Sequence, residues 1–257
     1  MNKHLQDLSR LTVAIAFAAS LVIPATSVRA AVWDVGVDCT GSAPTFGAGN
    51  EWYFYKNEGE PSPATYGNVA YGLGTNIPIY RAGPGEWWGA GLKNNGAAVL
   101  TGWAIYLEAG QVALRSSYGC ENGLVWISPI TGKISVEARF TGQDNDVDGT
   151  NTSLAIRAGM GDPRANPVIW AGDISGFIGT AANGYADGFG TAPELTFSIP
   201  LTEIPAGYTL TFQDVGGGNQ WQSTGFDIVI TQVPEPATAL VLAGGLTLAL
   251  RRRTARR

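Results

Sequence analysis

Several stretches of the chain alternate apolar and polar residues with a period of two. In 133–141, Ile134, Val136, Ala138 and Phe140 are apolar and the residues between them are polar. That pattern predicts a half-buried strand, one face in a core and one in water. The same alternation runs through Leu195–Ile199, Tyr208–Gln213 and Gly225–Ile230, and a further strand is predicted from Thr152 with Leu154 and Ile156 inward. Turn chemistry such as Asn183-Gly184 and Gly216-Gly217-Gly218-Asn219 lies between these stretches. In the N-terminal half, strands are predicted at Trp33–Val37, Glu51–Lys56, Ile77–Arg81 and around Val99–Leu107, with no pairing order legible. No convincing amphipathic helix interrupts the domain, and no repeat recurs at a fixed period. The fold class expected is all-β, an antiparallel β-sandwich or jelly roll.

The two ends break the pattern. Residues 1–30 carry Lys3 and Arg10, then an apolar run from Leu11 to about Ile23, Pro24, and Val28-Arg29-Ala30. This is the build of a signal peptide with cleavage before Ala31; the alternative is a retained anchor. At the other end, Val233-Pro234-Glu235-Pro236 precedes an apolar run from Ala237 to Leu250 and then Arg251, Arg252 and Arg253. As a helix that run reaches roughly 21 Å at 1.5 Å per residue, short of the roughly 30 Å hydrocarbon core of a bilayer. The expected division is a signal peptide (1–30), a β-sandwich domain (31–232) and a C-terminal segment (233–257) with a short hydrophobic helix. The arginines are expected to stay on the cytoplasmic side.

Removing the ends changes the charge. The whole chain has a net charge of −5, but residues 31–232 hold 8 basic and 19 acidic residues, a net of −11. Such a domain disfavours nucleic acid and anionic surfaces. The single histidine is His4, inside the signal peptide. The mature domain therefore has no Ser-His or Cys-His pair for nucleophilic catalysis and no histidine-ligated zinc. Both cysteines, Cys39 and Cys120, fall in the exported part. An even count in an oxidising compartment reads as one disulfide, stabilising by about 4–5 kcal/mol at most in the chain-entropy model.

The C-terminal order of Pro234-Glu235-Pro236, short apolar run and arginines resembles the PEP-CTERM sorting signal of exported Gram-negative proteins. That resemblance implies transient anchoring in the inner membrane and cleavage near the motif by an exosortase, a membrane cysteine protease-transpeptidase; the alternative is an ordinary tail anchor. The domain adds to it. Gly110–Leu114, Val125–Val136 with Trp126-Ile127-Ser128-Pro129, Phe140–Asp144 and Gly225–Thr231 resemble the jelly-roll module common in such proteins, similar in shape to carbohydrate-binding sandwiches. Trp33-Asp34-Val35-Gly36 with Trp52-Tyr53-Phe54-Tyr55 is similar too. These modules often carry a histidine-proline pair where this chain has Arg115-Ser116-Ser117, so no role for that histidine carries over.

Three constellations could carry chemistry. Asp144-Asn145-Asp146-Val147-Asp148-Gly149-Thr150 has the spacing of a calcium loop, with Asp144, Asp146, Asp148 and Thr150 as ligands. Ala155 stands where that loop places its bidentate glutamate, so the alternative is a solvated acidic turn. The aromatic residues Trp52, Tyr53, Trp87, Trp88, Trp103 and Trp221 suit sugar rings if exposed, with Trp52, Trp87, Trp88 and Asn94 the chosen candidates. The alternative is core packing. Glu86, Glu108, Glu121 and Glu137 include possible acid pairs for glycoside hydrolysis, but Glu137 and Arg139 read more simply as a surface charge pair. The expectation is a non-catalytic protein of the cell surface or extracellular matrix that binds polysaccharide. The alternative is a structural or adhesive surface protein without sugar binding.

Overall fold

The alternation at 133–141 becomes part of a long strand because its two faces meet different partners. Ile134, Val136, Ala138 and Phe140 are buried, while Glu137 is exposed and Arg139 half-buried on the other face. The computed structural model describes residues 30–39, 45–56, 67–68, 78–80, 90–100, 105–115, 122–144, 150–179, 189–216 and 222–233.

In chain order the elements are β1 (Val32–Asp34), α1 (Val35–Asp38), β2 (Thr45–Phe46), β3 (Trp52–Lys56), β4 (Gly67–Asn68), β5 (Pro78–Tyr80) and β6 (Ala90–Lys93). There follow β7 (Val99–Leu100), β8 (Tyr106–Leu107), β9 (Val112–Arg115), β10 (Asn122–Ile127), β11 (Gly132–Gly142) and β12 (Thr150–Gly159). The last are β13 (Val168–Phe177), β14 (Phe189–Ala192), β15 (Glu194–Ile204), β16 (Thr209–Gly216) and β17 (Ser223–Val233).

Two antiparallel sheets hold nearly all of them. The first has the order β15-β11-β17-β9-β6-β5-β4, with β1 also paired to β17; the second has the order β14-β13-β12-β16-β10-β3-β2. β7 and β8 pair with each other. From β9 to β12 the chain changes sheet at every step, and it does so again from β14 to β17. Neighbours in space therefore come from distant parts of the chain, and residues 31–233 form one compact unit.

The inward faces interdigitate into one core. Trp52, Trp126, Phe140, Phe212 and Phe226 are almost completely buried. Trp33 meets Trp126 edge-on at 5.2 Å, Phe140 meets Phe226 edge-on at 5.2 Å, and Phe140 stacks on Trp170 at 5.5 Å, geometries that aromatic quadrupoles favour. The sheets approach so closely at Gly142 that an added Cβ would lie 2.1 Å from the carbonyl oxygen of Gly176. Backbone cannot yield as a side chain does, so Gly142→Ala is expected to destabilise by about 1–3 kcal/mol. Urea denaturation checks this; an unchanged midpoint would contradict the packing.

Two predicted strands differ from what is found. The strand expected through Val37 stops at Asp34, because the Asp34 carboxylate accepts the N–H of Gly36 at 2.8 Å and of Val37 at 3.3 Å. That is an N-cap, and it turns Val35–Asp38 into a single helical turn. The strand expected around Val99–Leu107 is two short strands, β7 and β8. The expected signal peptide, the motif Pro234-Glu235-Pro236 and the C-terminal hydrophobic helix lie outside the described residues; Val233 ends β17. Among the described residues no helix is long and apolar enough to cross a membrane.

Candidate functional site

Side chains of one strand register line up across the outer face of the first sheet. On β11, Arg139 lies opposite Thr196 of β15 and Asp227 of β17, and Glu137 lies opposite Ser198 and Val229. Since alternate residues share a face, these six side chains, all polar but Val229, form two adjacent rows. Together with Ala138 and Phe197 they line a cleft of about 450 Å³.

Arg139 is the hub. Its guanidinium reaches Glu108 through a close NH1 contact, Glu194 at 2.9 Å and Asp227 at 3.0 Å. Nε donates to Glu194 at 3.0 Å, NH1 to both Glu108 and Asp227, and NH2 also to Glu108 at 3.4 Å. The expected pairing of Arg139 with Glu137 is therefore corrected. Residues opposite each other on neighbouring strands stand roughly 5 Å apart, against nearly 7 Å for i and i+2 on one strand, so Asp227 takes the guanidinium and Glu137 does not.

The acceptors around the hub are held from behind. Gln111, fully buried, donates Nε2 to Asp227 at 3.0 Å, to Thr141 at 3.1 Å and to Glu108 at 3.3 Å. Gln143 in turn donates its amide to Gln111 Oε1. These amides fit over the sheet because residue 225 is glycine, where an added Cβ would meet Gln143, Thr141 and Gln111 at 2.3–2.5 Å. Asn94 fixes the turn that carries Glu108. Its Nδ2 donates to the carbonyls of Ala97 at 2.9 Å, Leu107 at 3.2 Å and Glu108 at 2.9 Å. Lys93, also buried, donates its ammonium to the carbonyls of Gly36 and Gly110, and burial lowers its pKa.

Titration follows this geometry. Burial pushes the Asp227 carboxyl above its ordinary value, opposed by the hydrogen bond from Gln111 and the charge of Arg139. Hydrogen bonding to Glu108 raises the Arg139 pKa against its own desolvation, so the guanidinium stays charged. A raised carboxyl pKa contributes stability at low pH that is lost as pH rises through it.

The residues chosen from sequence are placed differently. Trp52 is completely buried, its Nε1 donating to Asp38 at 3.1 Å. Asn94 is buried and committed to backbone, so neither offers an exposed face; Tyr53 is buried too. The alternation of β3 explains Trp52, which faces the core opposite Trp126 of β10. Trp87, Trp88, Trp103 and Trp221 lie outside the described residues, as do Glu86 and Glu121. Asp144 and Thr150 are both buried and bonded inward. The Asp144 carboxylate accepts the N–H of Ser223, and the Thr150 hydroxyl donates to the Ser223 carbonyl at 2.9 Å. Asp146 and Asp148 lie outside the described residues. Among the described residues no group of three or more acidic, histidine or cysteine side chains is arranged to hold a metal ion. No disulfide is present among the described residues: Cys39 is buried, and Cys120 lies outside them.

Asp144→Ala is expected to destabilise by about 1–3 kcal/mol, because it strips a buried N–H of its acceptor. The loss should be the same in chelator and in calcium; a loss seen only in calcium would return this carboxylate to the metal.

Fold and site together define an antiparallel β-sandwich bearing a polar cleft on one outer face. No family model matches the chain, and no curated protein does. Solved structures resemble it in outline. The K1 cleaved adhesin domain of Lys-gingipain from Porphyromonas gingivalis W83 aligns with a TM-score of 0.39 at 12% identity, over 80% of this chain and 99% of that one. The K2 adhesin domain of Lys-gingipain gives 0.37 at 14% identity, over 70% and 99%. The TmCBM61 structure in complex with β-1,4-galactotriose gives 0.33 at 8% identity, over 71% and 88%. At such scores these likenesses carry no argument about the site.

Proposed function

We propose that this chain is an exported, non-catalytic jelly-roll protein of the cell surface or extracellular matrix that binds polysaccharide in the cleft around Arg139. The observation that carries the reading is the cleft itself. Side chains of three adjacent strands present carboxylates and hydroxyls in a fixed grid, held by Gln111 and Arg139. Sugar hydroxyls are small, numerous donors and acceptors, and a rigid polar grid meets them without ordering flexible groups on binding. Export would follow from the signal peptide at 1–30. The sorting motif Val233-Pro234-Glu235-Pro236 would bring the chain to an exosortase at the inner membrane before release.

Affinity gel electrophoresis against a panel of soluble polysaccharides tests the binding. The expected result is retardation by at least one polymer, weakened severalfold by Ser198→Ala or Asp227→Asn. No retardation by any polymer would overturn it. Intact mass of the released protein tests the sorting: loss of about the last twenty residues is expected, because a helix over the apolar run 237–250 would be too short for a lasting anchor, and a species retaining Arg251–Arg257 would refute cleavage.

A structural or adhesive role without sugar binding is the second reading. Val168 and Ile169 favour it, being 47% and 45% exposed at the start of β13.

A further inference from the structure

Resting on that reading of the cleft, we infer that its ligand is a glycan bearing free, protonated amino groups, a hexosamine polymer without full N-acetylation, and that it excludes uronate polymers. The inference comes from counting donors. Every nitrogen of the Arg139 guanidinium is engaged with Glu108, Glu194 or Asp227, through four hydrogen bonds and an ion pair, so the group is committed to the hub rather than to a ligand. Both Nε2 hydrogens of Gln111 are shared among three acceptors. Behind them Gln143 Oε1 is buried and accepts from no donor among the described residues. The network runs short of donors from its buried end to its open one.

What faces the cleft is therefore mostly acceptor, and it is negative. Asp227 and Glu137 line the cleft beside Arg139, whose other ion-pair partners are Glu108 and Glu194, so four carboxylates surround one guanidinium on a domain whose net charge is already −11. Glu137 stands exposed in the second row, with no ion pair among the described residues. Among the described residues no metal-holding group forms. A compact ammonium on each sugar supplies three donors and a positive charge at a spacing set by the polymer. A uronate adds like charge to a surface already in excess and is repelled. A fully acetylated chain supplies donors but no charge.

The experiment measures binding of three defined oligosaccharides to the purified full chain at about pH 6, where amines are protonated and ordinary carboxylates ionised. They are a glucosamine hexamer, its fully N-acetylated counterpart and a galacturonate hexamer. The glucosamine hexamer should bind about tenfold more tightly than the acetylated one, and the preference should shrink as salt is raised. The galacturonate should not bind. Glu137→Gln removes one charge from an exposed side chain and keeps its shape, so the variant folds. It should narrow the ratio between the glucosamine and acetylated hexamers about threefold. Equal or tighter binding of the acetylated hexamer overturns the inference and leaves polysaccharide binding standing. Binding of none of the three removes the cleft as a sugar site, and the inference with it.

Discussion

Trp52→Ala is expected to lower stability by about 3–5 kcal/mol, the range for emptying a large aromatic from a core. For a domain of this size that is roughly a 10 °C fall in melting temperature. Trp52 is completely buried, paired in register with Trp126, and its indole N–H is held by Asp38. Truncation therefore opens a cavity among Trp126, Phe54 and their neighbours and removes one hydrogen bond from the Asp38 carboxylate, whose pKa burial already raises. Trp52→Phe should lose less, because it fills most of the volume and gives up only the indole and its hydrogen bond. The two readings of Trp52 differ in what they predict. A sugar platform would lose binding and keep its melting temperature. A core residue loses its melting temperature first, and thermal unfolding of both variants separates them.

How much of this was legible in the sequence depends on the range of the signal. Period-two alternation is local, and it located β11, β12, β15, β16 and β17, including the inward Leu154 and Ile156. Where one side chain overrode the pattern it failed, as where Asp34 capped α1. Exposure of an aromatic is not local. Trp52 looks like a binding aromatic until β10 is known to lie beside it. The hub around Arg139 was hidden for the same reason. Arg139 and Asp227 are 88 residues apart, and Arg139 and Glu194 are 55 apart. Each sits on the polar face of an alternating stretch, which marks it as outward but not as a neighbour. Only the order β15-β11-β17 brings them together, and sequence periodicity contains no strand order. Gln111 carried still less signal, because a buried amide looks like any loop glutamine until its three acceptors surround it.

Arg139→Leu isolates the charge balance of the hub. The substitution leaves Glu108, Glu194 and Asp227 facing one another without the guanidinium that now separates them. These side chains are partly exposed, so water screens much of the repulsion and the loss should be about 2 kcal/mol at neutral pH. Asp227 is the most affected, because burial already raises its pKa and Arg139 is among the groups opposing that shift. Without the arginine its folded pKa rises further, while its unfolded value is unchanged. A group of that kind favours the fold below its unfolded pKa and gives that stability up as pH rises through the folded value. The variant should therefore approach the unmodified protein as pH falls into the ordinary carboxylate range at about pH 4, and fall behind it as pH climbs toward neutrality. Urea midpoints at several pH values give the difference directly. A constant deficit across that range would mean that Arg139 stabilises through its packed side chain rather than through charge. Asp227→Asn within the arginine variant should recover part of the loss at neutral pH, because the amide still accepts from Gln111 and brings no charge into the gap.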